Sequence, residues 1–205
     1  MPSIEPHLSM IGRLKGSLMQ LTEEIDQMID TIDMQESNVL HAFDQIHHSF
    51  HNVQTATASY YLKLYLSPFT AQYDVLSTAV QHLSERKHGA LIVIQRKDEL
   101  DSFIHSGLPI NANLSYSLLE SVFYTGNPLH DGAVLICNDT LISAANILPL
   151  SEHEASGNKL GTRHRAALGL SEQTDALVLV VSEETGRATF ALDGKLYPIR
   201  TTGVV

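Results

Sequence analysis

The sequence predicts an α/β domain, helices flanking a central mixed β-sheet, preceded by an α-helical hairpin. Three observations predict it. Over the first 66 residues apolar side chains recur at alternating gaps of three and four, with no strand-like run. After Pro68, amphipathic helical stretches alternate with short runs that are apolar on both faces, the pattern of strands buried beneath helices. Two pairs of those runs are joined by the tight turns Asn138-Asp139 and Asp193-Gly194, which places antiparallel neighbours in the sheet and makes it mixed.

The first seam runs through Ile11, Leu14, Leu18, Leu21, Ile25, Met28 and Ile32, a heptad pattern over three repeats. Residues 33–38 interrupt it, and Ser37 or Asn38 offers an N-cap for the next helix. The second seam runs through Val39, Phe43, Ile46, Phe50, Val53, Thr57, Tyr60 and Leu64, with Thr57 its one polar position. Two such helices joined by a short turn are expected to fold back and zip along the seams. Ser67-Pro68 ends the second, since proline disfavours helix in the residue before it. His41, His47, His48 and His51 sit on that helix; His47 and His51 have metal-compatible spacing, but no HExxH glutamate accompanies them, and they read as a solvated face.

Beyond Pro68 the spacing predicts a helix over 71–86, a buried strand over 90–94, a short turn or helix over 100–104, and a loop over 106–113 containing Gly107, Pro109 and Asn111. A helix over 115–125 is closed by Gly126-Asn127-Pro128. Strands follow over 133–137 and 140–148, a helix over 163–170, and strands over 176–181, 187–192 and 195–199.

The 205 residues carry 23 acidic and 13 basic side chains, a net charge of −10. That balance argues against broad, sequence-blind binding to nucleic acid or to an anionic membrane, both of which need a basic surface, but it leaves room for a small anionic ligand held by a local cation cluster. Residues 1–66 hold eight acidic and three basic side chains and 67–205 hold fifteen and ten, so each part carries −5. The one cysteine, Cys137, excludes an intramolecular disulfide and multi-cysteine zinc sites, and its apolar run reads as a buried structural thiol. The N-terminus shows no secretory signal, and the longest strongly apolar run, 176–181, is far short of the roughly 20 residues of a membrane span. A cytoplasmic protein with no membrane partner is expected.

Three polar clusters interrupt the apolar framework. His130-Asp131-Gly132-Ala133 stands at the start of a strand, where Asp131 offers a fixed carboxylate and Gly132 lets a ligand or backbone come close. Alone it equally fits an ordinary Asp-Gly turn. Gly161-Thr162-Arg163-His164-Arg165 opens a helix, whose free N–H groups and partial positive charge attract an anion. Arginines suit phosphate oxygens but cost roughly 0.3–1 kcal/mol each at that helix end, which suggests that an anion compensates them; a solvated basic helix start is the alternative. Ser182-Glu183-Glu184-Thr185-Gly186 follows a strand, and its carboxylates suit a divalent metal or a ribose, or else a charged hairpin turn. Together the clusters are the parts of metal-assisted phosphoryl or nucleotidyl transfer. Neither GxxxxGK(S/T) nor GxGxxG is present, which argues against a P-loop NTPase and a Rossmann dehydrogenase.

In order, identity and spacing, His130-Asp131-Gly132-Ala133, Leu148-Pro149-Leu150-Ser151, Gly161-Thr162-Arg163-His164-Arg165-Ala166-Ala167 and Ser182-Glu183-Glu184-Thr185-Gly186 resemble the diadenylate cyclase domain, over roughly 71–199. The hairpin resembles that of the soluble, sporulation-type diadenylate cyclases of Bacillus and its relatives. The resemblance implies condensation of two ATP into cyclic di-AMP and two pyrophosphates with Mn²⁺ or Mg²⁺. It implies that Asp131, within the motif Asp131-Gly132-Ala133, activates the ribose 3′-hydroxyl as metal ligand or base, and that His130 and Glu184 bind or position the metal. It further places Gly161, Thr162, Arg163, His164 and Arg165 on the ATP phosphates and Leu148 against the adenine. Ser182 and Glu183 contact phosphate or complete the acidic cluster. Each domain holds one ATP, so two domains must face each other in a homo-oligomer. By the same resemblance the hairpin, 1–66, is expected to drive a higher assembly such as a hexamer and to restrain the catalytic domain, 67–205. A second reading is a sensor that binds ATP without turnover and signals through the hairpin. A third, a purely structural oligomer, leaves the arginine cluster unexplained.

Overall fold

The computed structural model of the chain describes residues 4–32, 39–152 and 160–201. Two compact units divide it, Met1–Ala58 and Ser59–Val205. The first unit is helical. It contains α1 (Ile4–Thr31) and most of α2 (Val39–Leu66), each 28 residues long. The expected caps Ser37 and Asn38 lie outside the described residues. The seams are buried only in part. Leu21 is buried and Ile11, Leu14, Met28, Val39, Ile46 and Val53 are half-buried, whereas Leu18 and Ile25 on α1, Ile32 just past its end, and Phe43 and Phe50 on α2 remain exposed. His41, His47, His48 and His51 are exposed, as a solvated face requires. No described helix is long and apolar enough to cross a membrane.

The second unit begins at Ser59, because the last two turns of α2 bury Leu62 and Leu66 in it. These side chains line a small cavity with Tyr73, Leu76, Val80, Leu179 and Ile199, and the Ser59 hydroxyl accepts the Arg200 backbone N–H at 3.0 Å. The remaining helices are α3 (Tyr73–Glu85), α4 (Tyr116–Val122) and α5 (Thr162–Ser171). The strands are β1 (Ala90–Ile94), β2 (Leu108–Asn113), β3 (Ala133–Cys137), β4 (Thr140–Asn146), β5 (Leu177–Val181), β6 (Ala188–Leu192) and β7 (Lys195–Ile199).

They form one mixed sheet in the order β2-β4-β3-β1-β5-β6-β7, in which β1 and β3 are parallel and the other neighbours antiparallel. β1 and β5 are buried at every residue, as their two-sided apolar runs require. On one face Leu91, Val93, Leu135, Val178 and Val180 pack with Ala166, Ala167 and Leu170 of α5. Alternation sends Ile92 and Ile94 to the other face, where α3 and α4 pack and Leu76, Ala79, Val80 and Leu83 form the buried stripe of α3.

One element differs in kind from its sequence reading. The stretch read as a loop over 106–113 contains the edge strand β2, paired antiparallel with β4 from Leu108↔Ala144 to Asn113↔Thr140. Its residues are mostly exposed, a register shift separates Pro109 from Ala112, and Asn111 takes φ 52°. An edge strand tolerates a proline and a bulge, and neither leaves an alternating apolar pattern to read. Strand β4 also stops at Asn146, two residues short of the expected end, because Ala145 turns left-handed at φ 54°.

Candidate active site

Four chain segments meet at one end of the sheet. β1 and β3 run parallel with Ile92 opposite Val134, so two residues back the same register sets Gly132 level with Ala90. β5 runs the other way with Val181 opposite Ala90, which brings Ser182, Glu183 and Glu184 to that end. β4 lies antiparallel to β3 with Asn146 opposite Ala133, and delivers Ile147-Leu148 there. The N-terminal turn of α5 is fastened alongside, since Arg163 Nη1 donates to Glu183 Oε2 at 2.8 Å.

At the start of β3, Gly132 has φ +124°, and a Cβ built on it would lie 2.7 Å from the Ala145 carbonyl carbon and 2.9 Å from the Asn146 oxygen. Only glycine allows this approach. Asn146 is buried and closes the corner. Its Nδ2 donates to the Ala133 carbonyl at 2.7 Å and its Oδ1 accepts from Ser143 Oγ at 3.0 Å. His130 Nδ1 lies 2.5 Å from the Asn127 carbonyl. A carbonyl only accepts, so Nδ1 carries a proton and Nε2 is the ring nitrogen left to face a ligand. The Asp131 side chain is exposed, and among the described residues no hydrogen bond or ion pair engages its carboxylate.

α5 starts at an extended Gly161 whose position supplies no side-chain cap, so among the described residues its first N–H groups meet no capping side chain. Gly161 and Thr162 are exposed. The helix is held from beneath by the strap 149–151. A Cβ on Gly169 would lie 2.4 Å from the Pro149 carbonyl oxygen, Ser151 N–H donates to the Arg165 carbonyl at 3.0 Å, and Ser151 Oγ donates to Glu172 at 2.6 Å. The Arg165 guanidinium donates in return to the Ser151 carbonyl at 3.2 Å. Burial holds His164 below the ordinary imidazole range, so it stands in the first turn as a neutral donor or acceptor rather than a third cation. Leu148 is buried in the core under α5, while its neighbours Ile147 and Leu150 are exposed.

The β5–β6 turn is rigid. Ser182 Oγ accepts the Thr185 N–H at 3.2 Å, and Ser182 and Gly186 close the backbone at 2.9 Å. Gly186, at φ +73°, sits against the Ser84 carbonyl, and Ser84 Oγ donates to its carbonyl at 2.6 Å. Glu183 and Glu184 project from this frame into solvent. The Arg163 hydrogen bond and charge, with smaller contributions from His130 and His88, hold the Glu183 carboxyl below its usual range. Glu183 thus supplies the anion that the cationic start of α5 calls for.

His130, Asp131 and Glu184 do not form a metal cage, and among the described residues no three His, Cys, Asp or Glu side chains cluster to hold one. The chain offers the Nε2 of His130 and the free carboxylate of Asp131. That donor set fits a hard divalent cation whose remaining ligands are nucleotide phosphates and water. Sequence reasoning missed His88 and Gly89 before β1, Asn146, Ser84 and Glu172. Only Gly89 carried a local signal, a glycine at the mouth of a buried strand.

The family model described as "DisA bacterial checkpoint controller nucleotide-binding" matches residues 77–196, and the one described as "Diadenylate cyclase CdaS, N-terminal" matches 9–69. The chain is 55% identical over 177 residues to a protein of Bacillus thuringiensis named diadenylate cyclase CdaS, covering 86% of this chain and 88% of that one. It is 47% identical over 188 residues to the cyclic di-AMP synthase CdaS of Bacillus subtilis, covering 92% and 90%. A crystal structure from Bacillus cereus, described as a hypothetical membrane spanning protein, superposes with a TM-score of 0.79 at 49% identity over 97% of this chain and all of that one.

Proposed function

This chain belongs to the diadenylate cyclase family, and from that premise we propose how its residues make cyclic di-AMP from two ATP. The observation that carries the reading is the meeting, at one end of the sheet, of a free carboxylate on Asp131 with an uncapped, arginine-bearing helix start. The first supplies a proton acceptor and cation ligand, and the second a seat for a triphosphate.

Each reaction joins the 3′-oxygen of one ATP to the α-phosphorus of the other, breaks the α–β phosphoanhydride bond and releases pyrophosphate. Two such steps close the ring and liberate two protons. Asp131 takes the 3′-hydroxyl proton or holds the hydroxyl against a cation. Arg163, together with the open N–H groups of Gly161, Thr162 and Arg163, holds the phosphates and meets charge developing on them. Arg165, with its guanidinium on the Ser151 carbonyl, completes the phosphate seat and keeps α5 in place. His164 hydrogen-bonds phosphate as a neutral ring. Gly132 lets the nucleotide lie on the backbone, with Ala133 fixed beneath it by Asn146. Ser182 and Glu183 line the phosphate side, and the exposed Ile147 forms the wall for the base, with Leu148 buried in the core behind it rather than against the adenine. His130 Nε2 and Asp131 would hold Mn²⁺ or Mg²⁺ with nucleotide phosphates and water, while Glu184 stands outside that donor set; the cation, when bound, would neutralise phosphate charge and lower the pKa of the attacking hydroxyl.

Each domain holds one nucleotide, and the two reacting centres lie on different ATP molecules. The domains therefore act as a face-to-face pair, and the N-terminal helices assemble pairs and restrain them. Their exposed Leu18, Ile25, Phe43 and Phe50 support that role. The test is chromatography of nucleotides after incubation of the full chain with ATP and Mn²⁺ or Mg²⁺. Cyclic di-AMP is expected from wild type and none from Asp131→Asn, with ATP binding largely kept by the variant. ATP binding without any product, in wild type and in a chain lacking 1–58, contradicts the enzyme and leaves a sensor.

A further inference from the structure

We propose that Gly89 is a positioning residue for the transfer, because its bare Cα is the seat on which the Arg163 guanidinium lies. The inference rests on the reading of Arg163 as a phosphate-holding group. Gly89 is buried between α3 and β1, one residue before Ala90, which pairs with the last residue of β5. A Cβ built on it would lie 2.3 Å from Arg163 Nη1, 2.5 Å from Cζ and 3.0 Å from Nη2. All three nearest atoms belong to the guanidinium, which lies across this residue at contact distance.

The glycine is not there for its backbone. The positive-φ residues of the chain include Gly126, Gly132, Gly186 and Gly194 but not Gly89, so an alanine fits its dihedral angles. What alanine removes is space. The obstructed group is the far end of a flexible side chain, so an added methyl displaces Arg163 and leaves the sheet in place. Displacement separates Arg163 from Glu183, now 2.8 Å away, and moves the planar donors from the start of α5. Fixed bidentate donors lose phosphate contacts steeply when shifted by an ångström.

The experiment compares Gly89→Ala, Arg163→Ala, Arg163→Lys and the two double variants as full chains, by thermal melting and by KM for ATP and kcat for cyclic di-AMP formation. Gly89→Ala is expected to raise KM about tenfold or more, the loss of one or two charge-assisted hydrogen bonds, while melting near wild type. In the Arg163→Ala and Arg163→Lys backgrounds the same substitution is expected to change KM less than about twofold, since no guanidinium remains to displace. Equal losses in all backgrounds, or an unchanged KM for Gly89→Ala, overturn the proposal. So does early melting of Gly89→Ala in every background, because the glycine then serves the fold rather than the arginine. A ¹³C NMR titration of the Glu183 carboxyl reads the seat without turnover, and Gly89→Ala should raise that pKa towards the ordinary value. No change there overturns the seat itself. A raised Glu183 pKa alongside an unchanged KM for Arg163→Ala shows that the seat exists but that Arg163 does not hold phosphate, and with that the positioning role is overturned.

Discussion

Replacing Gly132 with alanine strikes the fold and the site at one atom. The new Cβ would sit 2.7 and 2.8 Å from the carbonyl carbon and Cα of Ala145 and 2.9 Å from the Asn146 oxygen, all backbone of β4 or its end. No side-chain rotation relieves these overlaps, unlike the contact at Gly89. The residue would also hold φ near +124°, outside the range of L side chains. Backbone strain of this kind costs about 1–3 kcal/mol. Forcing a carbon into filled space costs about 1–3 kcal/mol more. At roughly 2–4 °C per kcal/mol for a chain of this size, the melting temperature of Gly132→Ala should fall by roughly 5–20 °C. Differential scanning calorimetry measures that, and a nucleotide assay below the transition should show cyclic di-AMP formation reduced at least tenfold, because the Asp131 carboxylate moves with the displaced backbone. A variant that melts within about 2 °C of wild type and keeps its turnover would instead place Gly132 elsewhere than against β4.

Three further outcomes follow from other parts of the molecule. Burial holds His164 below its ordinary value of 6.5; unfolding restores that value, so the unfolded chain takes up the proton and stability should fall as pH drops below 6.5. Melting temperatures between pH 7.5 and 5.5 should show this slope, at most about 1.4 kcal/mol per pH unit, and His164→Asn should flatten it. Ser151→Ala removes the 2.6 Å bond to Glu172 beneath α5 and should cost about 1 kcal/mol by denaturant unfolding, with a modest rise in KM for ATP. A chain starting at Ser59 should be the more stable truncation. One starting at Ser67 loses the buried Leu62 and Leu66, each contributing about 1.5–3 kcal/mol, and should unfold at lower denaturant concentration.

The buried strands were legible because β1, β3 and β5 are runs of Ala, Val, Leu and Ile, with Cys137 closing β3, too short for helices and bounded by turn residues. The three polar clusters were legible because each breaks such a run at its end. Edge strand β2 was not, since half-exposed residues, a proline and a bulge erase the two-residue period. The heptad seams gave the helices but not their burial. Spacing tells which side chains share a stripe but not what packs against it, and Phe43 and Phe50 stand exposed. Gly89, Ser84 and Asn146 escaped for a further reason. Each acts through a partner distant in sequence, Arg163, Gly186 and Ala133 respectively, and a linear pattern does not record a contact across the sheet.

In the proposed reaction two opposed domains each use their own Asp131 for one of the two bonds. Assemblies co-expressed from wild-type and Asp131→Asn chains, each with its own affinity tag and purified through both, test it by mass spectrometry of the products from ATP. A linear dinucleotide triphosphate, one bond made and one pyrophosphate released, is expected in mixed assemblies and in neither parent. Mixed assemblies that yield cyclic di-AMP alone, with no linear product, would contradict it.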